Sequence, residues 1–342
     1  MARANLDWEN LTFGYRKTDC NVRYTWRDGQ WDDGVLCEDE NIPLHMAATC
    51  LHYGQECFEG LKAFETRCGD VVVFRVDENA RRMVASCRKI LMEPPPEELF
   101  IKAVRRAVNA NRRFVPPYGT GASLYIRPLM LGISPQVGVK PATEFLFVVF
   151  VTPVGPYFKT GFKPVDLLVE EFVDRAAPLG VGDVKVGGNY AAGLRATMGA
   201  KHRGYTEVLY LDAKEKKYID ESGPANFFVI TRDEQYITPQ SDSILPSITN
   251  KSLITLAEEL GLRPQRRSIA VTELPDFAEA GCCGTAAVIT PVGSITYRDR
   301  KIVYSTDGEP GRWTSALYNK LRAIQLGEEP DRHGWLTRID PD

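Results

Sequence analysis

The sequence has few histidines, no paired cysteine motif and no long apolar run. Its four histidines never stand at the spacing of zinc ligands, and its eight cysteines lack Cys-x-x-Cys spacing. The longest apolar run covers residues 145–151, whereas a membrane-spanning helix needs about 20 residues. These absences argue against a zinc site, a disulfide framework and a transmembrane helix.

The chain also lacks a charge excess of either sign. Its 42 basic and 45 acidic residues give a net charge of −3, which provides no general footprint for nucleic acid or an anionic membrane. The first residues are acidic where a signal peptide has its apolar core. We therefore expect a cytosolic protein without nucleic-acid or membrane partners.

The length and the distribution of proline and glycine predict two domains. At about 150 residues per domain, 342 residues correspond to roughly two. Proline and glycine cluster in residues 153–161, directly after the apolar run. We expect a small N-terminal α/β domain over 1–154, an interdomain loop over 155–165 and a large C-terminal domain over 166–342.

Periodicity and helix signals predict the main elements. Residues 71–76 are rich in β-branched residues, and Asp77 is a suitable N-cap for a helix from Glu78 towards Met92. From Glu97 the apolar residues follow the spacing of one helical face. Further predicted strands cover 122–126, 145–151, 166–169, 207–211, 227–231 and 286–290. Further predicted helices cover 190–203, 250–260 and 315–326, each followed by glycine.

Lys185 lies between two valines with glycines on both sides. This pattern predicts an extended segment with close backbone approach around a lysine. If the lysine is buried, its amine loses its charge more easily and can form Schiff bases. A lysine on an edge strand that blocks aggregation is the ordinary alternative.

Two further segments could bind charged groups. Glu221 stands at the start of an apolar strand, where a solvated turn carboxylate is the ordinary alternative. Residues 245–250 lead directly into a helix, and the free N–H groups of such a junction bind anions. An ordinary N-cap at Ser247 or Thr249 would have the same sequence. The turn 284–286 is either a second small-residue binding loop or a tight connection.

Three more polar side chains are candidates by position. Tyr125 and Arg127 alternate with apolar neighbours, so they share one face of a strand and could bind a carboxylate there. An outward polar stripe is the alternative. Arg82 follows Arg81 on a predicted helix, and at most one of the two faces a site.

Seven ordered stretches together resemble the branched-chain amino acid aminotransferases, which are class IV aminotransferases that depend on pyridoxal phosphate. The stretches are Leu51–Phe64, Ser123–Pro128, Pro153–Phe158, Val184–Tyr190, Glu221–Asn226, Leu245–Thr249 and Gly284–Ala286. The resemblance covers nearly the whole chain. It implies a two-domain α+β or α/β enzyme of fold type IV, similar to D-amino acid aminotransferase. Such enzymes have a smaller N-terminal α/β domain and a larger C-terminal pseudo-barrel domain that binds the cofactor.

The resemblance assigns pyridoxal 5′-phosphate as the cofactor and a role to each residue around it. Lys185 matches the catalytic lysine that binds the cofactor aldehyde and then carries a proton. Glu221 matches the carboxylate that pairs with the pyridine nitrogen, and Tyr190 matches a tyrosine beside the phenolic oxygen. The residues that match phosphate ligands are Arg82, Ile248, Thr249 and Thr285.

The resemblance also implies a substrate pocket and a homodimer. The residues that match the pocket are Tyr53, Phe58, Tyr125, Arg127, Val137, Val139, Thr285 and Ala286. Val137 and Val139 match a loop that reaches the neighbouring subunit's pocket, although local packing is the simpler alternative, and this match places the site near the subunit interface.

The implied activity exchanges the amino group between leucine, isoleucine or valine and 2-oxoglutarate in a ping-pong cycle. Its substrates are small amino acids and 2-oxo acids. The alternatives on the same fold are a D-amino acid or (R)-amine transaminase and aminodeoxychorismate lyase.

Overall fold

A computed structural model describes residues 2–157 and 161–341, and these residues form two compact units. The first unit comprises the chain up to Tyr157, Val184–Gly187 and the chain from Ala323. The second unit comprises the remaining chain up to Asp183 and Gly188–Arg322. Residues 158–160 of the predicted loop, including Phe158 of the quoted motif, lie outside the described residues. The domain boundaries at 154 and 166 stay a prediction.

The described chain contains eighteen strands and six α-helices. The strands are β1 Asn21–Arg27, β2 Gln30–Trp31, β3 Val35–Cys37, β4 Glu56–Phe58, β5 Leu61–Glu65, β6 Val71–Phe74, β7 Ser123–Gly132, β8 Phe145–Val154, β9 Val165–Glu170, β10 Glu207–Leu211, β11 Ile219–Ser222, β12 Ala225–Ile230, β13 Gln235–Thr238, β14 Arg263–Arg266, β15 Glu279–Gly284, β16 Val288–Tyr297, β17 Arg300–Val303 and β18 Leu336–Arg338. The helices are α1 Thr49–His52, α2 Val76–Lys89, α3 Glu97–Ala110, α4 Gly187–His202, α5 Ile248–Glu259 and α6 Arg312–Gln325.

The first unit is built on a nine-stranded sheet. Its strand order is β18-β6-β5-β7-β8-β1-β2, with β3 paired to β1 and β4 to β7. Every pairing between its described strands is antiparallel, so this unit has the α+β form of the two alternatives. The C-terminal strand β18 belongs to this sheet, so the unit is not made of N-terminal chain alone.

Helices α2 and α3 contribute to the core of the first unit. The five apolar residues predicted to face inward on α3 are buried, namely Phe100, Ala103, Val104, Ala107 and Val108. The predicted N-cap of α2 is wrong. Arg75 caps this helix in the left-handed conformation, at φ 49°, and Asp77 lies in the first turn. The backbone N–H of Arg75 donates to the carbonyl of Trp335 at 2.7 Å, which fixes this residue from the C-terminal segment.

The second unit contains a closed ring of six strands, β11-β10-β9-β16-β15-β12. The ring closes because β11 pairs with both β10 and β12. Strand β9 runs parallel to both its neighbours, β10 and β16, while the other pairs of the ring are antiparallel. The predicted pseudo-barrel is therefore confirmed. Its core consists of apolar side chains from these strands, including Leu209, Phe227 and Ile295.

The predicted helix ends in the later part of the chain are confirmed. Gly204, Gly261 and Gly327 follow α4, α5 and α6 with φ of 87°, 88° and 67°. These left-handed conformations cost glycine little, which explains the glycines at the helix ends. Among the described residues, no helix is long and apolar enough to cross a membrane.

Candidate active site

Lys185 lies on a short extended segment in the core of the first unit. Its neighbours Val184 and Val186 are buried in that core, and Val186 forms a bridge with Cys57 of β4. The amine Nζ of Lys185 lies 4.7 Å from the centroid of the Phe58 ring. The lysine is half-buried and does not lie on the edge of a sheet that needs protection.

Hydrogen bonds fix the backbone around Lys185 on both sides. The N–H of Lys185 donates to Ser86 Oγ at 3.0 Å, and its carbonyl accepts from the N–H of Phe58 at 3.0 Å. Glu56 Oε1 accepts from the N–H of Gly187 at 2.6 Å. Burial raises the pKa of the Glu56 carboxyl, and the Gly187 N–H and Arg127 oppose this shift. The lysine backbone is therefore held along β4.

Arg82 faces inward from α2 and pairs with a buried carboxylate. Its Nε lies 2.7 Å from Glu59 Oε1 and its Nη2 lies 2.8 Å from Glu59 Oε2. The neighbouring Arg81 is exposed and pairs with Asp77 and Glu78 on the same helix. Of the two adjacent arginines, Arg82 is therefore the one with the buried environment of a site residue.

Phe58, Tyr125 and Arg127 form one cluster. Arg127 Nη2 donates to Tyr125 Oη at 3.0 Å, which confirms that the two residues share a face of β7. The guanidinium carbon lies 4.6 Å from the Phe58 ring centroid and 5.3 Å from that of Tyr125. Arg127 Nε is buried and has no hydrogen-bond partner among the described residues. The cluster thus combines apolar ring faces with an unused cationic donor.

Gly60 provides the space that this cluster needs. A Cβ at this position would lie 2.2 Å from Tyr125 Oη. Any larger residue would therefore displace the tyrosine hydroxyl that accepts from Arg127. Lys62, which the sequence interpretation missed, is buried directly across from Tyr125 in the register of β5 and β7.

The structure places Tyr53 with the loop that carries Val137 and Val139. The Tyr53 hydroxyl donates to the carbonyl of Val137. The two valine side chains are 85% and 87% exposed, so neither packs within its own chain. The alternative of local packing is therefore wrong for both.

Glu221 is a buried carboxylate of β11 and is held by its side chain. It is 3% exposed, which rules out a solvated turn carboxylate. Its Oε1 accepts from the N–H of Leu245 at 2.5 Å and from Asn226 Nδ2 at 3.2 Å. Its Oε2 lies 3.5 Å from Arg175 Nη1. Three groups of the second unit therefore fix the position of this carboxylate.

Arg175 belongs to this cluster and was missed by the sequence interpretation. It is buried, and its Nη2 donates to the carbonyls of Gly182 and Ser243. Ser243 Oγ donates to Asp220 Oδ2 at 2.8 Å. Burial raises the pKa of Asp220, while the serine hydroxyls and Arg175 act against the shift. Because Arg175 stands in an ordinary charged run, residues 170–175, no sequence pattern distinguishes it.

The N-terminus of α5 has the form of an anion site. Ser247 is the N-cap, and its Oγ accepts from the N–H of Asn250 at 3.2 Å. The first backbone bond of the helix runs from the Lys251 N–H to the Ser247 carbonyl. The N–H groups of the buried residues Ile248 and Thr249 lie before that bond and have no acceptor within the helix. Such donors at a helix N-terminus suit a phosphate.

The remaining cofactor-site residues lie at the ends of elements in the second unit. Tyr190 stands in the first turn of α4 and is half-buried. Thr285 and Ala286 form the turn between β15 and β16, whereas the sequence predicted a strand from Ala286. The turn ends at Val288, whose φ of 65° is unusual for a β-branched residue and marks local strain.

Comparisons with known proteins agree with this arrangement. The family model "Amino-transferase class IV" matches residues 56–295. A branched-chain-amino-acid aminotransferase of Haemophilus influenzae is 46% identical over 98% of this chain and 99% of its own.

Two solved structures are also similar to the chain. The branched-chain amino acid aminotransferase of Escherichia coli has a TM-score of 0.79 and 28% identity, over 93% of this chain and 100% of its own. A second branched-chain amino acid aminotransferase, from T.th. and complexed with N-(5′-phosphopyridoxyl)-L-glutamate, has a TM-score of 0.77 and 27% or lower identity, at 26%, over 94% and 100%. These matches confirm fold type IV. The chain therefore belongs to the class IV aminotransferases, as a member of the branched-chain-amino-acid aminotransferases.

Proposed function

We propose that the enzyme uses pyridoxal 5′-phosphate to exchange the amino group between leucine, isoleucine or valine and 2-oxoglutarate in a ping-pong cycle. When bound, this cofactor acts as an electron sink for the carbanion that forms at the substrate Cα. The T.th. relative binds a phosphopyridoxyl group joined to glutamate, which supports both the cofactor and the acceptor pair. The cytosolic location stays a prediction.

The residues present fit such a cofactor chemically. The N–H groups of Ile248 and Thr249 are donors for a phosphate at the positive end of α5. Thr285 adds a hydroxyl at a turn, and Arg82 adds a guanidinium. Glu221 is a buried, hydrogen-bonded carboxylate, which suits a protonated ring nitrogen. Each of these groups has the charge and burial that its proposed role requires.

The chain's own residues carry the proton steps. The Lys185 amine takes the proton from the substrate Cα and returns it to the cofactor side, since its backbone is fixed and its amine extends over Phe58. Glu221 keeps the proton on the pyridine nitrogen. Tyr190 contributes a hydroxyl beside the phenolic oxygen, and the turn at Thr285 and Ala286 receives the substrate α-carboxylate.

The Phe58–Tyr125–Arg127 cluster is the observation that carries the dual substrate preference. The two rings give an aliphatic side chain an apolar surface. The free Nε of Arg127 and the Tyr125 hydroxyl provide donors for a distal carboxylate. One pocket can then accept leucine in one half-reaction and 2-oxoglutarate in the other.

Exposed apolar residues favour a homodimer with its pocket near the subunit interface. Val137 and Val139 are exposed in the first unit, and Phe172, Leu179 and Leu194 are exposed in the second. Exposed apolar side chains at this density indicate a binding surface. We expect the dimer mass in light scattering and a monomer for Leu194→Asp, with Lys201→Asp on the same helix as the control. A monomeric wild-type enzyme would refute the dimer.

Initial rates test the reaction itself. The donors are L-leucine, L-isoleucine, L-valine, D-leucine and an (R)-amine, each with 2-oxoglutarate as the acceptor. We expect activity with the three L-donors and parallel double-reciprocal lines when both substrates are varied. Intersecting lines would contradict the ping-pong cycle. A preference for D-leucine or the amine would instead support the alternative activity on this fold.

A further inference from the structure

Glu59 is a fully buried carboxylate with no part in the roles described so far. It is 0% exposed and follows directly after β4. Its backbone N–H donates to the carbonyl of Pro128 at 2.8 Å, so the residue is fixed independently of its side chain. Both of its carboxylate oxygens accept from Arg82, at 2.7 and 2.8 Å.

The geometry of this pair determines how the guanidinium is oriented. Arg82 uses Nε and Nη2, which lie on one edge of the planar guanidinium, for the two parallel bonds to Glu59. A guanidinium has five N–H donors in a rigid fork, so a carboxylate on one edge sets the direction of the others. A lysine at position 82 could not be fixed in this way.

The segment that carries Glu59 also holds Lys185. Glu56 accepts from Gly187, Phe58 donates to the Lys185 carbonyl, and Glu59 binds Arg82. Residues 56–59 therefore connect the amine proposed to bind the cofactor aldehyde with the guanidinium proposed to bind its phosphate. These two groups of a cofactor have a fixed separation, so a fixed separation of their ligands favours binding.

We propose that Glu59 is a positioning residue for the cofactor phosphate and acts through Arg82. This inference rests on the proposed function, in which Arg82 binds that phosphate. Glu59 neutralises Arg82 before the cofactor binds, because an unpaired buried arginine would be unfavourable. It also keeps the other donors of the guanidinium in one orientation for the phosphate.

The test compares two ligands that differ in the phosphate alone. Full-length enzyme is freed of cofactor by dialysis and titrated with pyridoxal 5′-phosphate or with pyridoxal, with absorbance as the readout. The variants are Glu59→Gln, Glu59→Asp and Arg82→Gln, and the exposed Glu98→Gln is the control. Glu59→Asp keeps the charge and serves if Glu59→Gln does not fold.

For Glu59→Gln we expect the dissociation constant of pyridoxal 5′-phosphate to rise about 10- to 100-fold, as for the loss of one charge-assisted hydrogen bond. The constant for pyridoxal should change little. Glu59→Asp should have an intermediate effect. The double variant Glu59→Gln/Arg82→Gln should bind the phosphate form no more weakly than Arg82→Gln alone, because Glu59 acts through Arg82.

Equal weakening of both ligands would overturn the inference, because it would show a general structural role for Glu59. Unchanged binding in the folded Glu59 variants would overturn it as well. If Arg82→Gln selectively weakens the phosphate form and neither Glu59 variant does, the inference fails while the proposed phosphate role of Arg82 stands. If Arg82→Gln has no selective effect, the phosphate role itself is wrong.

Discussion

The two units hold their proposed catalytic groups in opposite ways. The first unit fixes the backbone of Lys185 through Ser86 and Phe58, and the amine extends over an aromatic ring. The second unit fixes the carboxylate of Glu221 itself, through Leu245, Asn226 and Arg175.

This difference matches what each group must do. A lysine that takes and returns a proton has to move between two positions, so only its backbone can be held. A carboxylate that keeps a proton on the ring nitrogen works best when it stays fixed in its charged form. The comparison predicts large losses of activity on both sides, with different signatures in the cofactor spectrum.

The largest effect is expected on the lysine side. Lys185→Ala should lower kcat by about 10⁴-fold or more, because it removes the group that moves the proton. The variant should still bind pyridoxal 5′-phosphate without a covalent bond, since the proposed phosphate and ring ligands remain. Steady-state rates after removal of free cofactor, together with an absorbance titration, measure both. Lys214→Ala on the surface is the control, and near-normal rates in Lys185→Ala would refute the assignment.

A smaller loss is expected on the carboxylate side. Glu221→Gln keeps the size and several hydrogen bonds of the side chain but removes the charge that holds the ring proton. We expect kcat to fall about 10²- to 10³-fold with the fold intact, similar to the loss of one preorganised electrostatic group. Stopped-flow spectra of the half-reaction with leucine provide the measurement, and the exposed Glu215→Gln is the control. An unchanged kcat would show that Glu221 has no electrostatic role.

Arg127→Leu should affect one half-reaction more than the other. A charge-assisted hydrogen bond is worth about 1.5–3 kcal/mol, so kcat/KM for glutamate should fall about 10- to 150-fold more than that for leucine. Leucine makes no such bond and should lose little. Single-turnover rates for each amino acid separate the two effects. Equal losses would mean that Arg127 only supports the pocket wall, and a loss confined to leucine would reverse the assignment.

The smallest effect concerns the network behind Glu221. Because burial raises the pKa of Asp220, the folded state binds this proton more tightly than the unfolded state. Stability therefore falls as the pH rises from the ordinary pKa of 3.8 through the raised value. In Asp220→Asn this contribution is absent, so the wild type should lose stability relative to the variant as the pH rises. Urea unfolding across this pH range measures the difference, and a constant difference would contradict it.

Local rules predicted much of the fold correctly. The predicted strand 207–211 has the bounds of β10, and the apolar stripe of α3 is buried as its spacing indicated. The N-cap of α2 was wrong because a distant contact, from Arg75 to the carbonyl of Trp335, overrides the local preference for Asp77. The closure of the barrel depends on pairings such as β9 with β16, which join distant parts of the chain and leave no local signal.

The candidate site divides in the same way. The resemblance named Lys185 and Glu221, but it did not indicate the residues that hold them. Arg175 lies far from Glu221 in the sequence, and Glu59 is 23 residues from Arg82. Such supporting residues follow no periodicity or motif, because their positions are set by the tertiary fold.

The central claim is that Lys185 is the residue that binds the cofactor aldehyde. Borohydride reduction of the holoenzyme converts a reversible bond between cofactor and protein into a stable one, and peptide mass mapping then locates the phosphopyridoxyl group. We predict the label on Lys185 in the wild type, and no covalent label in Lys185→Ala. A label on any other lysine of the wild-type enzyme would contradict this claim.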